Sequence, residues 1–427
     1  MNEKCLEFGD IKVDRVTKLE NVQFVINKIR TSFEHFGQLG LIYLNITKYN
    51  KLEDDYGWEY YETYLEAISK ELKKMQGNFF RKEDYIALTN INDDNFVIFT
   101  IPPRDGSSIT LPDLKSTGER ITQKLDEATI SFFHKEFPQG VGIRYGHAVV
   151  YLNPKVKFER IIYRTIRDAI KVTLLEENKL KIQQRKELIH IIESEDIHTY
   201  YQPIVDIKKK SVYGYEALSR GPEGSDFFYP TFLFQFAEEI GLLEKVDELA
   251  QRKIFEECIG IKEDLHLFVN FMPEFIETPS TGIIGIIKLL KKYNIRSDMI
   301  VMEITERSAI HDFEEFRNIL QTFKSFNFKV AIDDAGAGYS SLQSIAEIKP
   351  DYLKFDMALI RNIDKDLIKQ EILKTLCTLA QKINSILIAE GIETLEELET
   401  VTSLGVEYAQ GFLFAKPGPP FPQAKFP

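Results

Sequence analysis

The sequence predicts an α/β protein in two parts, an N-terminal α/β domain with a central mixed sheet and a C-terminal (β/α)8-type, TIM-like barrel whose first strand is antiparallel. Three observations predict it. At 427 residues the chain exceeds one ordinary domain. A Gly- and Pro-free segment, Thr173 to Ile197, reads as a helix joining two halves. Beyond it, short β-rich apolar runs repeat with a polar residue near the end of each and a helix-length amphipathic segment between them.

The expected boundaries are 1–172 for the first domain, 173–197 for the connecting helix and 198–427 for the barrel. In the first domain LGLIYLNI, DNFVIFTI and VGIRYGHAVVYL read as strands, and YYETYLEAISKELKKM and FERIIYRTIRDAIKV as amphipathic helices. In the second, the runs are TYYQPIVDI, SVYGYEALSR, LHLFVNF, IVMEITE, KVAIDDAG, DYLKFD, ILIAEGIE and YAQGFLF. Several are apolar on both alternating faces, the pattern of parallel strands covered on both sides. Only Lys208 to Lys210 separate the first two runs, too short for a parallel crossover, so these two form a hairpin. The aromatic-rich stretch Asp226 to Gln251 has apolar residues at helical spacing and reads as a packed loop and helix.

Composition narrows the function. Lys and Arg number 54 against 66 Asp and Glu, a formal charge of −12, which argues against sequence-independent binding to polymeric nucleic acid. Three widely spaced cysteines and seven histidines without an HExxH pattern suggest neither disulfides nor zinc. No apolar run reaches the length of a membrane span, and the N-terminal MNEKCLEFGDIKVD lacks the apolar core of a signal peptide. A cytoplasmic protein is expected.

Polar residues recur where a barrel builds its site. Glu216, Asn270, Glu303, Asp333, Asp334, Lys354, Glu390 and Gln410 fall at or near the C-terminal ends of the runs. Glu216, Asn270, Glu303, Asp333 and Asp334 form an all-oxygen set of hard donors that suits Mg²⁺ or Mn²⁺. Strand alternation separates Glu303 from Glu306, and Asp333 from Asp334 until the chain leaves the strand, which Gly336 and Gly338 would permit. Lys354 could pair with Asp351 or Asp356, or stand among anions and orient a water.

These motifs have a known counterpart. QPI (202–204), YEALSR (215–220), VNF (269–271), EITE (303–306), IDDAGAGYSSL (332–342), LKFD (353–356), AEGIE (389–393) and QGF (410–412) together resemble the EAL family of cyclic di-GMP phosphodiesterases. The resemblance implies two ions, Mg²⁺ or Mn²⁺, held by Glu216, Asn270, Glu303, Asp333 and Asp334. It implies that Lys354 positions the attacking water and Glu390 lies close to the second ion. Glu306 would brace the loop after the paired aspartates, and Gln202, Arg220, Gln410 and Glu393 would contact substrate. The implied reaction opens cyclic di-GMP to linear pGpG in a homodimer. Ala335 replaces a usual Phe and Met272 a usual Ser.

Residues 13 to 185 resemble a GGDEF diguanylate-cyclase domain more weakly, through VDRVTKLEN and LIYLNITKYNKLEDDYGWEYYETYL. The signature turn falls at Asn92-Asp93-Asp94-Asn95-Phe96, without its glycines, and Asn45 replaces a metal-binding aspartate. The resemblance therefore implies a degenerate, regulatory domain, with GTP or another ligand as its possible partner. Arg81-x-x-Asp84 resembles a product-inhibition motif but stands too far from the signature. The alternative for the whole chain is a catalytically silent cyclic di-GMP receptor.

Overall fold

A computed structural model describes residues 12–46, 58–89, 95–103, 105, 107–129, 143–305, 320–335 and 349–427. The chain divides into two compact units, Met1–Lys186 and Glu187–Pro427.

In the first unit, strands β1 (Gln38–Asn45), β2 (Tyr85–Leu88), β3 (Phe96–Thr100) and β4 (Arg144–Tyr151) form a sheet in the order β2-β3-β1-β4. Alternation along β1 explains its continuous burial. Ile42 and Leu44 join a core with Tyr64, Ile68, Ile121 and Leu125, whereas Leu39, Leu41 and Tyr43 join Val25, Ile29, Phe33 and Ile162 on the other face. The expected mixed sheet is antiparallel at each of these strand pairings. Gly118 sits inside a helix, Leu111–Thr129, because a Cβ there would meet the Tyr145 ring at 2.3 Å.

The joining helix is longer than its sequence signature. One helix runs from Phe158 to Ser194, so FERIIYRTIRDAIKV and the Gly-free segment after it are a single element. Nothing in Ala169–Leu180 interrupts helical propensity, which is why the expected junction at residue 172 falls in mid-helix.

In the second unit, β5 (His198–Asp206), β6 (Ser211–Arg220), β7 (His266–Asn270), β8 (Ile300–Thr305), β9 (Lys329–Ala335), β10 (Tyr352–Phe355), β11 (Ile386–Ala389) and β12 (Tyr408–Ala409) close into a barrel. As the short hairpin predicts, β5 is antiparallel to β6 and also to β12, and the other neighbours run parallel. The last run, YAQGFLF, contributes only Tyr408 and Ala409 to a strand.

Alternation sorts the barrel side chains. Leu267, Val269, Met302, Ile304, Val330, Ile332, Leu353, Leu387 and Ala389 belong to the large outer core with the helices. Ile204, Phe268, Val301, Ala331, Tyr352 and Ile388 form a separate plug inside. The β5–β6 hairpin brings no covering helix of its own. The C-terminal tail covers it together with helix Leu243–Glu257, whose Ile254 O accepts from Tyr201 Oη at 3.4 Å: Tyr201 N donates to Gly418 O at 2.8 Å, Gly418 N returns the bond at 3.1 Å, and the Phe421 ring lies 4.7 Å from Tyr201 and 5.2 Å from Tyr215.

The stretch Asp226 to Gln251 folds as expected, with a short 3-10 turn at Asp226–Phe228 leading into helices Pro230–Glu239 and Leu243–Glu257. Phe227, Phe236 and Val246 are buried in a core cluster shared with Leu188, Ile191 and Ile197.

Candidate active site

Moving two residues from the interior plug toward the C-terminal mouth reaches the next inward-facing position on each strand. From Phe268, Val301, Ala331, Tyr352 and Ile388 the step lands on Asn270, Glu303, Asp333, Lys354 and Glu390. On β6 the same parity takes Gly214 to Glu216, and past β12 it takes Tyr408 to Gln410. On the antiparallel β5 the step runs backward, from Ile204 to Gln202, which faces Glu216 in register. One sheet layer therefore assembles the polar ring, with side chains drawn from all eight strands or the residue just past them.

Lys354 stands at its centre, 1% exposed. Its Nζ lies 2.6 Å from Glu303 Oε1, 2.7 Å from Glu390 Oε1, 3.3 Å from Asp333 Oδ1 and 3.6 Å from Glu216 Oε2. The simpler pairings fail: Asp351 accepts from Val330 N, and Asp356 caps the next turn through Ala358 N. Gln410 Nε2 donates to Glu216 Oε2 at 2.5 Å and to Gln202 Oε1 at 3.0 Å, and Gln202 Nε2 donates to Ala415 O.

Four carboxylates about one ammonium leave a formal surplus of three negative charges. Burial alone would strip Lys354 of its proton, but the carboxylates outweigh it and hold its pKa well above the usual lysine value. Burial pushes Glu303 well above the carboxylate range; Lys354 opposes that shift and Glu216 and Asp333 add to it. Glu390 shifts upward for the same reason. Such a site is short of positive charge.

Its donors fit a hard divalent cation. Every donor is oxygen, and Glu303 Oε2 is buried without a hydrogen-bond partner while Oε1 faces the Lys354 ammonium, so Oε2 keeps its lone pairs available. Among the described residues no three of His, Cys, Asp and Glu enclose an ion by themselves. The expected set needs the Asn270 amide, opposite Glu303 in register, and Asp334. The Asp334 side chain and the whole of Glu306 lie outside the described residues.

The backbone at the paired aspartates is described, and it is irregular. Leu353 pairs with Ile332 and Phe355 with Ala335, so two steps along β10 match three along β9. The extra residue falls at Asp333-Asp334, beside Lys354, and interrupts strict alternation there. The strand continues to Ala335, so the break lies within it, ahead of the glycines.

Two expected substrate contacts are held by protein groups. Arg220 donates to Ser219 O at 2.9 Å, with its guanidinium carbon 5.6 Å from the Tyr200 ring and 5.9 Å from that of Phe228. Glu393 forms a bidentate ion pair with Arg361, one contact at 2.7 Å. The sequence reading missed a cavity of about 530 Å³ beside Asn270 and Met272, whose wall includes Asp247 and Gln251. Burial pushes the Asp247 carboxyl up to about 7; Glu274 adds to the shift and the Gln251 amide, donating at 2.8 Å, opposes it. The available signal was a polar pair four residues apart on the apolar face set by Val246, Ala250 and Ile254.

In the first unit, Asp84 is structural. Its carboxylate accepts from Arg81 N at 2.7 Å and Ile101 N at 2.8 Å, while Arg81 Nη1 donates to Ile101 O. Burial pushes Asp84 up to about 6, with the two N–H donors opposing it. Asn92, Asp93 and Asp94 lie outside the described residues.

Comparison with known proteins bears on this geometry. The EAL domain family model matches residues 183–417, and that of the GGDEF diguanylate cyclase domain matches residues 11–171. A probable cyclic di-GMP phosphodiesterase of Escherichia coli strain K12, PdeG, is 28% identical over 232 residues, 53% of this chain and 45% of that protein. The cyclic di-GMP phosphodiesterase PdeA of Borreliella burgdorferi is 27% identical over 357 residues, 83% of this chain and 47% of that protein. The chain thus spans about half or less of the length of these curated relatives. Among solved structures, the PaMucR phosphodiesterase in complex with c-di-GMP aligns with a TM-score of 0.51 at 26% identity, covering 55% of this chain and 98% of that one. The FimX EAL domain of Xanthomonas citri, TM-score 0.52 and 22% identical over 59% of this chain and 99% of that one, supports the fold.

Proposed function

Because the chain belongs to the EAL domain family, we propose that it hydrolyses one phosphodiester of cyclic di-GMP to linear pGpG. The observation that carries this reading is the buried Lys354 ringed by Glu216, Glu303, Asp333 and Glu390 at the barrel mouth. Its surplus of negative charge suits two Mg²⁺ or Mn²⁺ ions, with Glu216, Asn270, Glu303, Asp333 and Asp334 as the residues that would hold them. When bound, such ions supply Lewis acidity toward the phosphate and lower the pKa of water.

The residues of the chain supply position and charge. Lys354, kept protonated by its four neighbours, donates a hydrogen bond that orients the attacking water. Glu390 Oε1, 2.7 Å from Lys354 Nζ, holds that ammonium in place. Gln410 ties Glu216 to Gln202, so the first two strands and the last turn act as one body in the mouth. Arg220, braced by aromatic faces, presents its remaining donors to phosphate. The cavity beside Asn270 takes a base, with Asp247 accepting from the N–H edge of a guanine. The GGDEF-type domain that precedes the barrel is regulatory in this reading and lacks cyclase activity. GTP is a candidate ligand for it, and the working assembly is a homodimer.

The test is incubation of the full chain with cyclic di-GMP and either Mg²⁺ or Mn²⁺, then separation of the nucleotides. The expected product is pGpG, absent when EDTA is present and absent in Glu216→Ala. Tight binding of cyclic di-GMP with no product under either ion would overturn hydrolysis in favour of a receptor.

A further inference from the structure

The loops after β10 and β11 are fastened to each other at three points. Glu397, 2% exposed, accepts from Asn362 N at 2.9 Å in the first loop and from Glu393 N at 3.0 Å and Thr394 N at 3.2 Å in the second. Arg361 of the first loop grips Glu393 of the second through both carboxylate oxygens. Gly391, at φ +71°, lies so close to Met357 that a Cβ would come within 2.3 Å of the Met357 Cβ. The first loop begins after Phe355, one residue past Lys354, and the second at Glu390, and Lys354 and Glu390 are in contact at 2.7 Å.

We propose that Glu397, Glu393 and Arg361 form a clamp that positions Glu390 against Lys354, and that Glu393 serves this clamp rather than the substrate. The proposal rests on the phosphodiesterase reading for its kinetic consequence alone. Glu397 is a carboxylate with its acceptor capacity aimed at main-chain N–H groups. Three such donors overcome burial and hold its pKa below the usual glutamate value. A carboxylate in that place fixes two backbones at once, which a lone side-chain contact between the loops would not do. The Arg361–Glu393 pair is planar and bidentate, so it fixes orientation as well as separation. Through Gly411, whose Cβ would meet Ile392 O at 2.1 Å, and Ile392 N, which donates to Gln410 O at 3.1 Å, the clamp extends to the turn that carries Gln410.

The experiment pairs hydrogen exchange with steady-state kinetics on the full chain. In Glu397→Gln the amides of Asn362, Glu393 and Thr394 should exchange about tenfold faster or more, with the remainder of the barrel unchanged. The same variant should lose about 10- to 100-fold in kcat on cyclic di-GMP, with KM within about twofold. Arg361→Gln and Glu393→Gln should each lower kcat by a common factor, the double Gln variant no further, and Arg361→Glu/Glu393→Arg should recover activity. A rise in KM as the main effect of Glu393→Gln, unrepaired by charge reversal, would make Glu393 a substrate ligand and overturn the proposal, as would unchanged exchange in Glu397→Gln. A wild-type chain that releases no product would remove the phosphodiesterase reading alone, leaving exchange to decide the clamp.

Discussion

Replacing Lys354 by Met keeps an unbranched side chain one atom shorter and removes the cation that four carboxylates share. The formal surplus at the site grows from three negative charges to four. Breaking a buried ionic group from one side costs roughly 3–5 kcal/mol, because the partners stay buried and uncompensated. In a unit of this size each kcal/mol moves the melting temperature by about 2–4 °C, so the barrel transition should fall by roughly 6–20 °C at pH 8 in EDTA. Two companion measurements identify the cause. Without their ammonium, Glu303 and Glu390 hold protons more tightly in the folded state than in the unfolded one. Stability then falls as pH rises through that window, so Lys354→Met should recover part of its loss on acidification from pH 8 to pH 6. Millimolar Mg²⁺ should restore more of the melting temperature in the variant than in the wild type, since it meets a larger charge deficit. The assay is thermal unfolding read by intrinsic fluorescence across pH and ion concentration. A melting temperature within about 2 °C of wild type, or a loss that is the same at pH 6 and pH 8, would refute the electrostatic account of the ring.

Asp247 and Phe421 carry two further outcomes. Asp247, with a folded-state pKa of about 7 against an ordinary 3.8, lowers stability as pH rises from about 4 to 7; Asp247→Asn should flatten that slope and gain on the order of 4 kcal/mol at pH 8 in urea unfolding, and a variant less stable than wild type at pH 8 would contradict it. Phe421→Ala removes a ring 4.7 Å from Tyr201 and 5.2 Å from Tyr215 and should cost about 2 kcal/mol, read as a lower urea midpoint for the barrel transition; an unchanged midpoint would show that the tail does not cover the hairpin.

How much the sequence disclosed depended on how local the information was. The barrel was legible because its signals are short-range: two-sided apolar runs, a three-residue link that forces a hairpin, and polar residues at strand ends. The single helix from Phe158 to Ser194 was divided in reading because its change of role, from covering a sheet to joining two units, leaves no mark on helix propensity. Asp247 and Gln251 escaped notice for a related reason. A polar pair on an apolar helix face looks like a flaw in the pattern until β6 and β7 supply a cavity beside it. Glu393 was assigned from its motif, yet its partner Arg361 comes from another loop 32 residues away, a distance over which one chain's sequence carries no pairing signal.

The paired aspartates show most clearly where sequence reasoning stops. Adjacent residues on a regular strand face opposite ways, so a site that needs both carboxylates must break the strand somewhere, and the glycines at 336 and 338 were the visible candidates. The structure breaks the register earlier, by setting three residues of β9 against two of β10 at the level of Lys354. A break there has a mechanical advantage over a glycine turn. It is held by ladder hydrogen bonds on both sides, since β9 also pairs with β8 as far as Asp333 opposite Thr305. The backbone position of Asp333 is then set by the barrel itself. Asp333 is held by backbone pairing of β9 with both of its neighbours, and that pairing does not call for an aromatic side chain at 335.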